Sequence, residues 1–247
     1  MITMKNIDKI CVELVKWIQE KVNDAGAKGV VFGLSGGIDS AVIAGIAKKA
    51  FPDNSLGITM PCHSDKEDEE HGNLVAEALD LKIRRVNLSD SFDTLLEAID
   101  DENQQKLAVS NIKPRLRMTT LYYYAQSNNY LVLGPTNKSE FKVGYFTKHG
   151  DSGVDLLPLV SFVKSEIRDL ARYLNIPSIV IEKPPTAGLW ENQTDEEEMG
   201  FSYEVLDNYI KTGRGPDEIL RKIDRMDNRS QHKKEYPPIF KPRINEL

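Results

Sequence analysis

The chain has 247 residues, 40% of them hydrophobic and 28% charged, a length and composition that sustain one packed core and exclude global disorder. Its formal net charge of −6 argues against sequence-blind nucleic-acid binding, which needs a clustered basic footprint. No apolar run approaches the ~20 residues of a membrane span, and MITMKNIDKI at the start lacks the apolar stretch of a signal peptide, so a soluble cytoplasmic protein is expected.

Apolar positions Ile7, Ile10, Cys11, Leu14, Val15, Trp17, Ile18 and Val22 recur in steps of three and four and predict an amphipathic helix, ended by Asp24-Ala25-Gly26. Residues 29–34, GVVFGL, read as a buried strand. A glycine turn follows, then a small-residue helix from Ala41 to Lys49. The alternation repeats. Residues 56–60 are a second strand, 66–79 a helix with an acidic start, 82–88 a third strand. Helical patterns cover 91–99 and both sides of Pro114 within 102–126, and 130–133 is a fourth strand. Residues 156–160 read as short strand or loop, 165–174 as helix and 179–181 as a last strand. Two helices are expected over 201–211 and 216–228. Residues 183–200, with two prolines, two glycines and the run DEEE, read as a mobile lid, and 232–247 as a basic tail packed in extended form. One domain spans 1–247. Its fold class is α/β, a doubly wound and mostly parallel sheet flanked by helices. Ligands of such sheets sit beyond the carboxyl ends of the strands, which singles out residues 35–40, 60–64 and 134–140.

Cys11 and Cys62 are too few for a disulfide framework and read as free thiols. Neither Cys62 nor His63 has a second Cys/His pair at zinc-ligand spacing. DKEDEE at 65–70 reads as a solvated helix start, and Tyr122-Tyr123-Tyr124 as core and interface.

The chemistry concentrates in Ser35-Gly36-Gly37-Ile38-Asp39-Ser40, between a strand and a helix. Adjacent glycines let backbone approach an anion, and the helix behind them offers unpaired N–H groups. The serines add donors, and Asp39 can hold a magnesium ion against phosphates. The segment is neither G-x-G-x-x-G nor G-x-x-x-x-G-K-[ST], and no lysine reaches over it. A ligand-free turn is the plain alternative, but two glycines flanked by two serines and an aspartate exceed what a turn requires.

GLSGGIDS at 33–40 resembles the pyrophosphate-binding loop of the N-type ATP pyrophosphatases, which cleave ATP between its α and β phosphates. Further blocks resemble the NAD synthetase family: NIKPRLRMTT at 111–120, GPTNKSE at 134–140, GYFTKHGDSGVD at 144–155, LLPL at 156–159 and KPPTAGLWENQTD at 183–195. They stand in family order over nearly the whole chain and match the short, ammonia-dependent form, with no amidase domain ahead of the core. The resemblance implies a Rossmann-like, adenine nucleotide alpha hydrolase-like fold. It also implies an ATP-dependent amidation of deamido-NAD by ammonia through an acyl adenylate, in a homodimer that binds neither nucleic acid nor membrane.

It further implies residue roles. Gly33, Leu34, Ser35, Gly36, Gly37, Ile38, Asp39 and Ser40 would cradle ATP, with Met60, Pro135, Lys164 and Thr186 also touching it. Asp39 and Glu140 would bind Mg2+ across the strand-end crevice. Arg115, Lys148, Asp155, His232 and Lys233 would contact deamido-NAD, whose diphosphate and carboxylate suit cationic partners. Asp151 and Lys164 would be catalytic, Asp151 by receiving the ammonium proton. Trp190 and Glu191 would close over substrate as part of the lid. The family's usual threonine is Pro135 here, with Thr136 next, and its usual Tyr and Gly of the later loop are His149 and Ser152. Two other readings stand beside this one. A different adenylating amidotransferase or tRNA thiolase would turn over another acceptor, and a universal-stress-like protein would bind ATP without turnover.

Overall fold

The computed structural model describes residues 6–188, 190 and 193–241. Helix α1 (Ile7–Asp24) leads into β1 (Gly29–Gly33), whose residues 29–32 are all buried. Helix α2 (Ile38–Ala50), β2 (Ser55–Thr59), α3 (Lys66–Ala78) and β3 (Ile83–Arg85) follow. Next come α4 (Ser89–Ile99), α5 (Lys106–Ser110) and α6 (Ile112–Asn128), then β4 (Tyr130–Val132) and α7 (Lys138–Val143). The remainder is helical: α8 (Lys164–Tyr173), α9 (Ser178–Glu182), α10 (Asp195–Met199), α11 (Tyr203–Thr212) and α12 (Asp217–Lys234).

The four strands are parallel in the order β3-β2-β1-β4. The chain winds outward from β1 through β2 to β3, then returns to place β4 on the other side of β1. The switch point therefore lies between the ends of β1 and β4, where loops 34–37 and 133–137 diverge and open a crevice. Parallel strands covered on both faces carry apolar side chains throughout, and Val30, Val31, Phe32 and Val132 are fully buried.

Helices α1, α2 and α8 pack together in one core with Phe32, Ile43 and Ile167. The small side chains of α2 allow this closeness; a Cβ on Gly45 would crowd Leu174. Helices α4 and α6 close the opposite face around Val31, Ile58, Phe92 and Leu121. A third cluster, Val143, Met199, Phe201, Tyr203, Leu206 and Ile223, joins the carboxyl-terminal helices to α7. That cluster sets one wall of the crevice.

Three expectations need correction. Residues 179–181 lie in helix α9, not in a strand: Pro177 accepts from the Val180 and Ile181 N–H groups and starts a helical turn. A β-branched run alone does not separate buried strand from buried helix. His232, Lys233 and Lys234 form the last turn of α12 and not the head of an extended tail. Their basic side chains suit a helix carboxyl terminus. Beyond them Tyr236, Ile239 and Phe240 are exposed and unpacked in this chain, and residues 242–247 lie outside the described ones. Pro114 sits in the first turn of α6, where its missing N–H costs nothing, so it does not divide two helices. Among the described residues no helix is long and apolar enough to cross a membrane.

Candidate active site

The turn after β1 is held by its own hydroxyls. Leu34 N–H donates to Ile58 O at 2.9 Å, the last pairing of the β1–β2 edge. Ser40 Oγ–H then donates to Gly37 O at 2.8 Å, and Ser40 Oγ accepts from Ser35 N–H at 3.2 Å. With its proton so engaged, Ser40 also accepts from Ser35 Oγ–H at 3.0 Å. Gly36 has φ +78, and a Cβ there would overlap the backbone of Asp68 in the first turn of α3. Only glycine meets both conditions. Gly37 caps α2 without a side-chain bond, so the first N–H groups of the helix stay open, and Gly37, Ile38 and Asp39 line the cavity.

Across the switch point, Asn137 and Glu140 make a reciprocal capping box at the start of α7. Asn137 N–H donates to Glu140 Oε2 at 3.2 Å, and Glu140 N–H to Asn137 Oδ1 at 3.0 Å. The same Asn137 donates through Nδ2 to Asp39 Oδ1 at 2.9 Å, which joins the two loops directly.

No lysine lies within the loop in sequence, but one reaches it in the fold. It arrives from α8: Lys164 Nζ lies 2.6 Å from Asp39 Oδ2 and 3.2 Å from Glu140 Oε1, with a side chain only 3% exposed. Burial alone would lower this ammonium's pKa, but Asp39 and Glu140 more than reverse that and hold it charged. Glu140 is pushed up to about 8, first by burial and then by Asp39, with Lys164 opposing.

Tyr203 O–H donates to Asp195 Oδ2 at 2.9 Å and faces Glu140 Oε1 at 3.5 Å. Asp195 is buried, and its Oδ1 has no hydrogen-bond partner among the described residues. Burial raises its pKa. Three carboxyl groups thus crowd one ammonium, and the raised Glu140 and Asp195 values show that a divalent cation would be needed to favour their ionised forms together. Among the described residues no three His, Cys, Asp or Glu side chains form a complete metal cage. Magnesium characteristically takes one or two carboxylates plus substrate phosphates, so Asp39 and Glu140 beside the open N–H groups of α2 fit it.

A cavity of about 970 Å³ runs from this cluster past the strand ends. That volume lies at the upper end of the roughly 300–1,000 Å³ range of small-molecule and cofactor sites. Met60, Pro135, Thr136 and Thr186 line it near the loop. Asp151, Arg115, Lys148, His232 and Lys233 also line it.

These observations agree with comparisons to known proteins. Residues 10–237 match the family model of NAD synthase. The chain belongs to the NAD synthase family. It is 51% identical to the NH(3)-dependent NAD(+) synthetase of Carboxydothermus hydrogenoformans, over 92% of this chain and 95% of that one. A solved structure of NMN synthetase from Francisella tularensis superimposes with a TM-score of 0.91 at 33% identity, covering 99% of this chain and 100% of that one. The NH3-dependent NAD synthetase from Campylobacter jejuni superimposes with a TM-score of 0.79 at 31% identity, covering 95% of this chain and 99% of the other.

Within the chain, the cations expected at the dinucleotide side are largely engaged with backbone. Arg115 donates to Asn111 O at 3.4 Å and Lys148 O at 3.3 Å. Lys148 Nζ donates to His232 O at 2.6 Å, and Lys233 Nζ to Gly144 O at 2.8 Å and Phe146 O at 2.9 Å. They knit loop 144–153 to α6 and α12 and bring positive charge to the cavity wall. Asp151 Oδ2 accepts from Thr147 N–H at 2.8 Å and opens on the cavity. The residue is exposed on the cavity, and the surrounding protein still raises its pKa by desolvation, with the Thr147 N–H, Arg117 and Lys233 pulling the other way.

Asp155 is not brought to the cavity. Its Oδ2 accepts from Val132 N–H at 2.8 Å and its Oδ1 from Tyr122 O–H at 3.0 Å, so both oxygens secure the end of β4. Gly36 likewise packs behind the loop. Thr186 and Lys183 belong to the strap before α10. Lys183 Nζ reaches Asp68 Oδ1 at 2.8 Å and Glu67 Oε2 at 3.4 Å, so the acidic start of α3 anchors the strap as well as facing solvent. The Trp190 ring packs on Lys106 Nζ at 4.1 Å, while Leu189, Glu191 and Asn192 lie outside the described residues.

The sequence reading missed Asn137, Lys183, Asp195, Tyr203 and Arg117. Arg117 donates to Met60 O and to Ser64 Oγ, each at 3.2 Å, and fixes the loop after β2. Asn137 had a readable signal, because N-x-x-E is a capping-box spacing. The other four depend on chain segments that meet only in the fold.

Proposed function

We propose that the chain amidates deamido-NAD with ammonia, consuming ATP and releasing AMP and pyrophosphate. The observation that carries this is the Asp39–Lys164–Glu140 cluster at the switch point, beside the glycine turn 35–40 and opening into a cavity of about 970 Å³. The names of the sequence relatives support the same acceptor. Magnesium would be held by Asp39 and Glu140 and would neutralise phosphate charge as pyrophosphate departs.

Loop 35–40 and the open N–H groups of α2 hold the phosphates, and Lys164 adds a fixed cation. Arg115, Lys148, His232 and Lys233 supply the positive wall for the dinucleotide. The nicotinate carboxylate oxygen attacks the α-phosphorus, and the bond to the bridging oxygen of pyrophosphate breaks. Ammonia then attacks the carbonyl carbon of the acyl adenylate, and AMP leaves with the original carboxylate oxygen. Asp151 receives the proton shed by the ammonium nitrogen. Pro135, lacking an N–H, leaves Thr136 as the hydroxyl donor of that loop.

The working form proposed is a cytoplasmic homodimer of one domain, with a lid over 183–200. Val12 and Trp17 on α1 and Tyr123 on α6 are exposed large apolar side chains that support a subunit contact.

The likeness to an NMN synthetase structure favours a second acceptor, nicotinate mononucleotide. Pyrophosphate release with ATP, magnesium and ammonium, measured with each acceptor, separates the two. The expected result is a kcat/KM for deamido-NAD at least about tenfold the higher, a difference of about 1.4 kcal/mol. Preference for the mononucleotide, or no release with either, overturns the proposal.

A further inference from the structure

We infer that Asp207, on α11, is a positioning residue that sets the Lys164 ammonium and the Glu140 carboxylate in register. The inference rests on the reading of that pair as the metal–ATP locus. Asp207 is 5% exposed and does not line the cavity. Its Oδ1 accepts from Ser139 Oγ–H at 2.6 Å, and its Oδ2 from Ser165 N–H at 2.8 Å. Ser139 Oγ in turn accepts from Lys164 N–H at 3.1 Å.

One carboxylate therefore grips the residue before Glu140 on α7 and the residue after Lys164 on α8. Ser139, fully buried, passes the grip to the Lys164 backbone itself. The two helices start side by side, and their N-terminal N–H groups make this position favourable for a negative charge. A second contact from the same helix supports the hold: Lys211 Nζ donates to Ser165 Oγ at 3.1 Å and pairs with Glu166 at 3.5 Å.

The geometry matters because Lys164 and Glu140 come from different helices with no strand between them. The 3.2 Å separation of Nζ and Oε1 depends on how α7 and α8 begin relative to each other. A displacement of about 1 Å at a reacting site costs on the order of 10²-fold in rate. Ser139, Lys164 and Asp207 are 25 to 68 residues apart in sequence; the Lys138 N–H to Phe162 O bond at 2.8 Å brings the two helix starts together, and Asp207 from α11 locks their side chains.

The test compares wild type, Asp207→Asn, Lys164→Ala and the double variant for MgATP affinity by calorimetry, with affinity for deamido-NAD measured alongside. Asp207→Asn is expected to weaken MgATP binding about tenfold or more, with deamido-NAD affinity within about twofold of wild type. In the Lys164→Ala background the same substitution is expected to weaken MgATP binding by less than about twofold, because the residue it positions is gone. A full tenfold loss in that background overturns the inference, as does equal weakening of both ligands or unchanged MgATP affinity. Should Asp207→Asn fail to fold, Ser139→Ala decides. A MgATP-specific loss that vanishes without Lys164 supports the relay, and an unchanged or additive effect refutes it. Failure of wild type to bind MgATP would instead refute the reading of the site.

Discussion

Lys164 Nζ sits 2.6 Å from Asp39 Oδ2, joining α8 to the loop after β1 across 125 residues of sequence. In the proposed function the pair brings a cation to loop 35–40 from a distant helix, where P-loop proteins carry a lysine within the loop itself. Lys164→Ala would leave Asp39 and Glu140 facing each other without a counter-charge. The expected result is a measurable loss of stability, smaller than the roughly 3–5 kcal/mol of a fully charged buried pair because Glu140, already pushed up to about 8, takes a proton and limits the cost. Thermal denaturation without ligand measures it, and added magnesium should restore part of the loss.

Gly36→Ala should inactivate the protein with its sheet intact. The residue holds φ +78, and the new methyl group would overlap the Asp68 backbone. The left-handed conformation alone costs roughly 1–2 kcal/mol for a residue with a Cβ, and the overlap must push the loop away from α3. ATP binding should fall at least about tenfold while far-ultraviolet circular dichroism stays unchanged.

Asp151 gives a pH signature. Its folded pKa is raised above the ordinary 3.8, chiefly by desolvation. Its contribution to stability is therefore full below the ordinary aspartate range and is lost as pH rises through the raised folded value. Asp151→Asn should remove that loss, leaving the variant at least as stable as wild type at neutral pH. Activity should move oppositely. The variant cannot take the ammonium proton, so its kcat/KM for total ammonium should drop about 10²-fold at neutral pH. The deficit should shrink as pH rises and free ammonia becomes abundant. A deficit constant with pH would remove the proton-accepting role.

How the sequence foreshadows these relationships differs by residue. Loop 35–40 was legible because its local requirements, a left-handed glycine and hydroxyls at fixed spacing, are written in six adjacent residues. The parallel sheet was legible because strand and helix periodicities alternate. Helix α9 was not, since Ile179-Val180-Ile181 carries β-branched side chains whose helical state is set by Pro177 and by packing of Val180 in the main core. Lys164 could be assigned only by resemblance, because nothing near it in sequence indicates that its ammonium enters a pair of distant carboxylates. Asp155, which the resemblance places at substrate, also carries a structural bond that the sequence does not show: it accepts from the Val132 N–H at the end of β4.

Lys183 ties the strap to α3 through Asp68, with a side chain 15% exposed. Partly screened pairs of this kind contribute about 1 kcal/mol or less. Lys183→Ala should therefore leave the melting temperature almost unchanged. The strap carries Thr186 to the cavity, so the KM for ATP should rise about three- to tenfold while that for ammonia stays fixed.

The central claim is that the acceptor carboxylate is adenylated before ammonia arrives. The most direct measurement uses deamido-NAD bearing heavy oxygen in its nicotinate carboxylate, with mass spectrometry of every product. Adenylation places one heavy oxygen in AMP and none in pyrophosphate, while the new amide keeps the other. Label in pyrophosphate or inorganic phosphate, or AMP free of label, would contradict it.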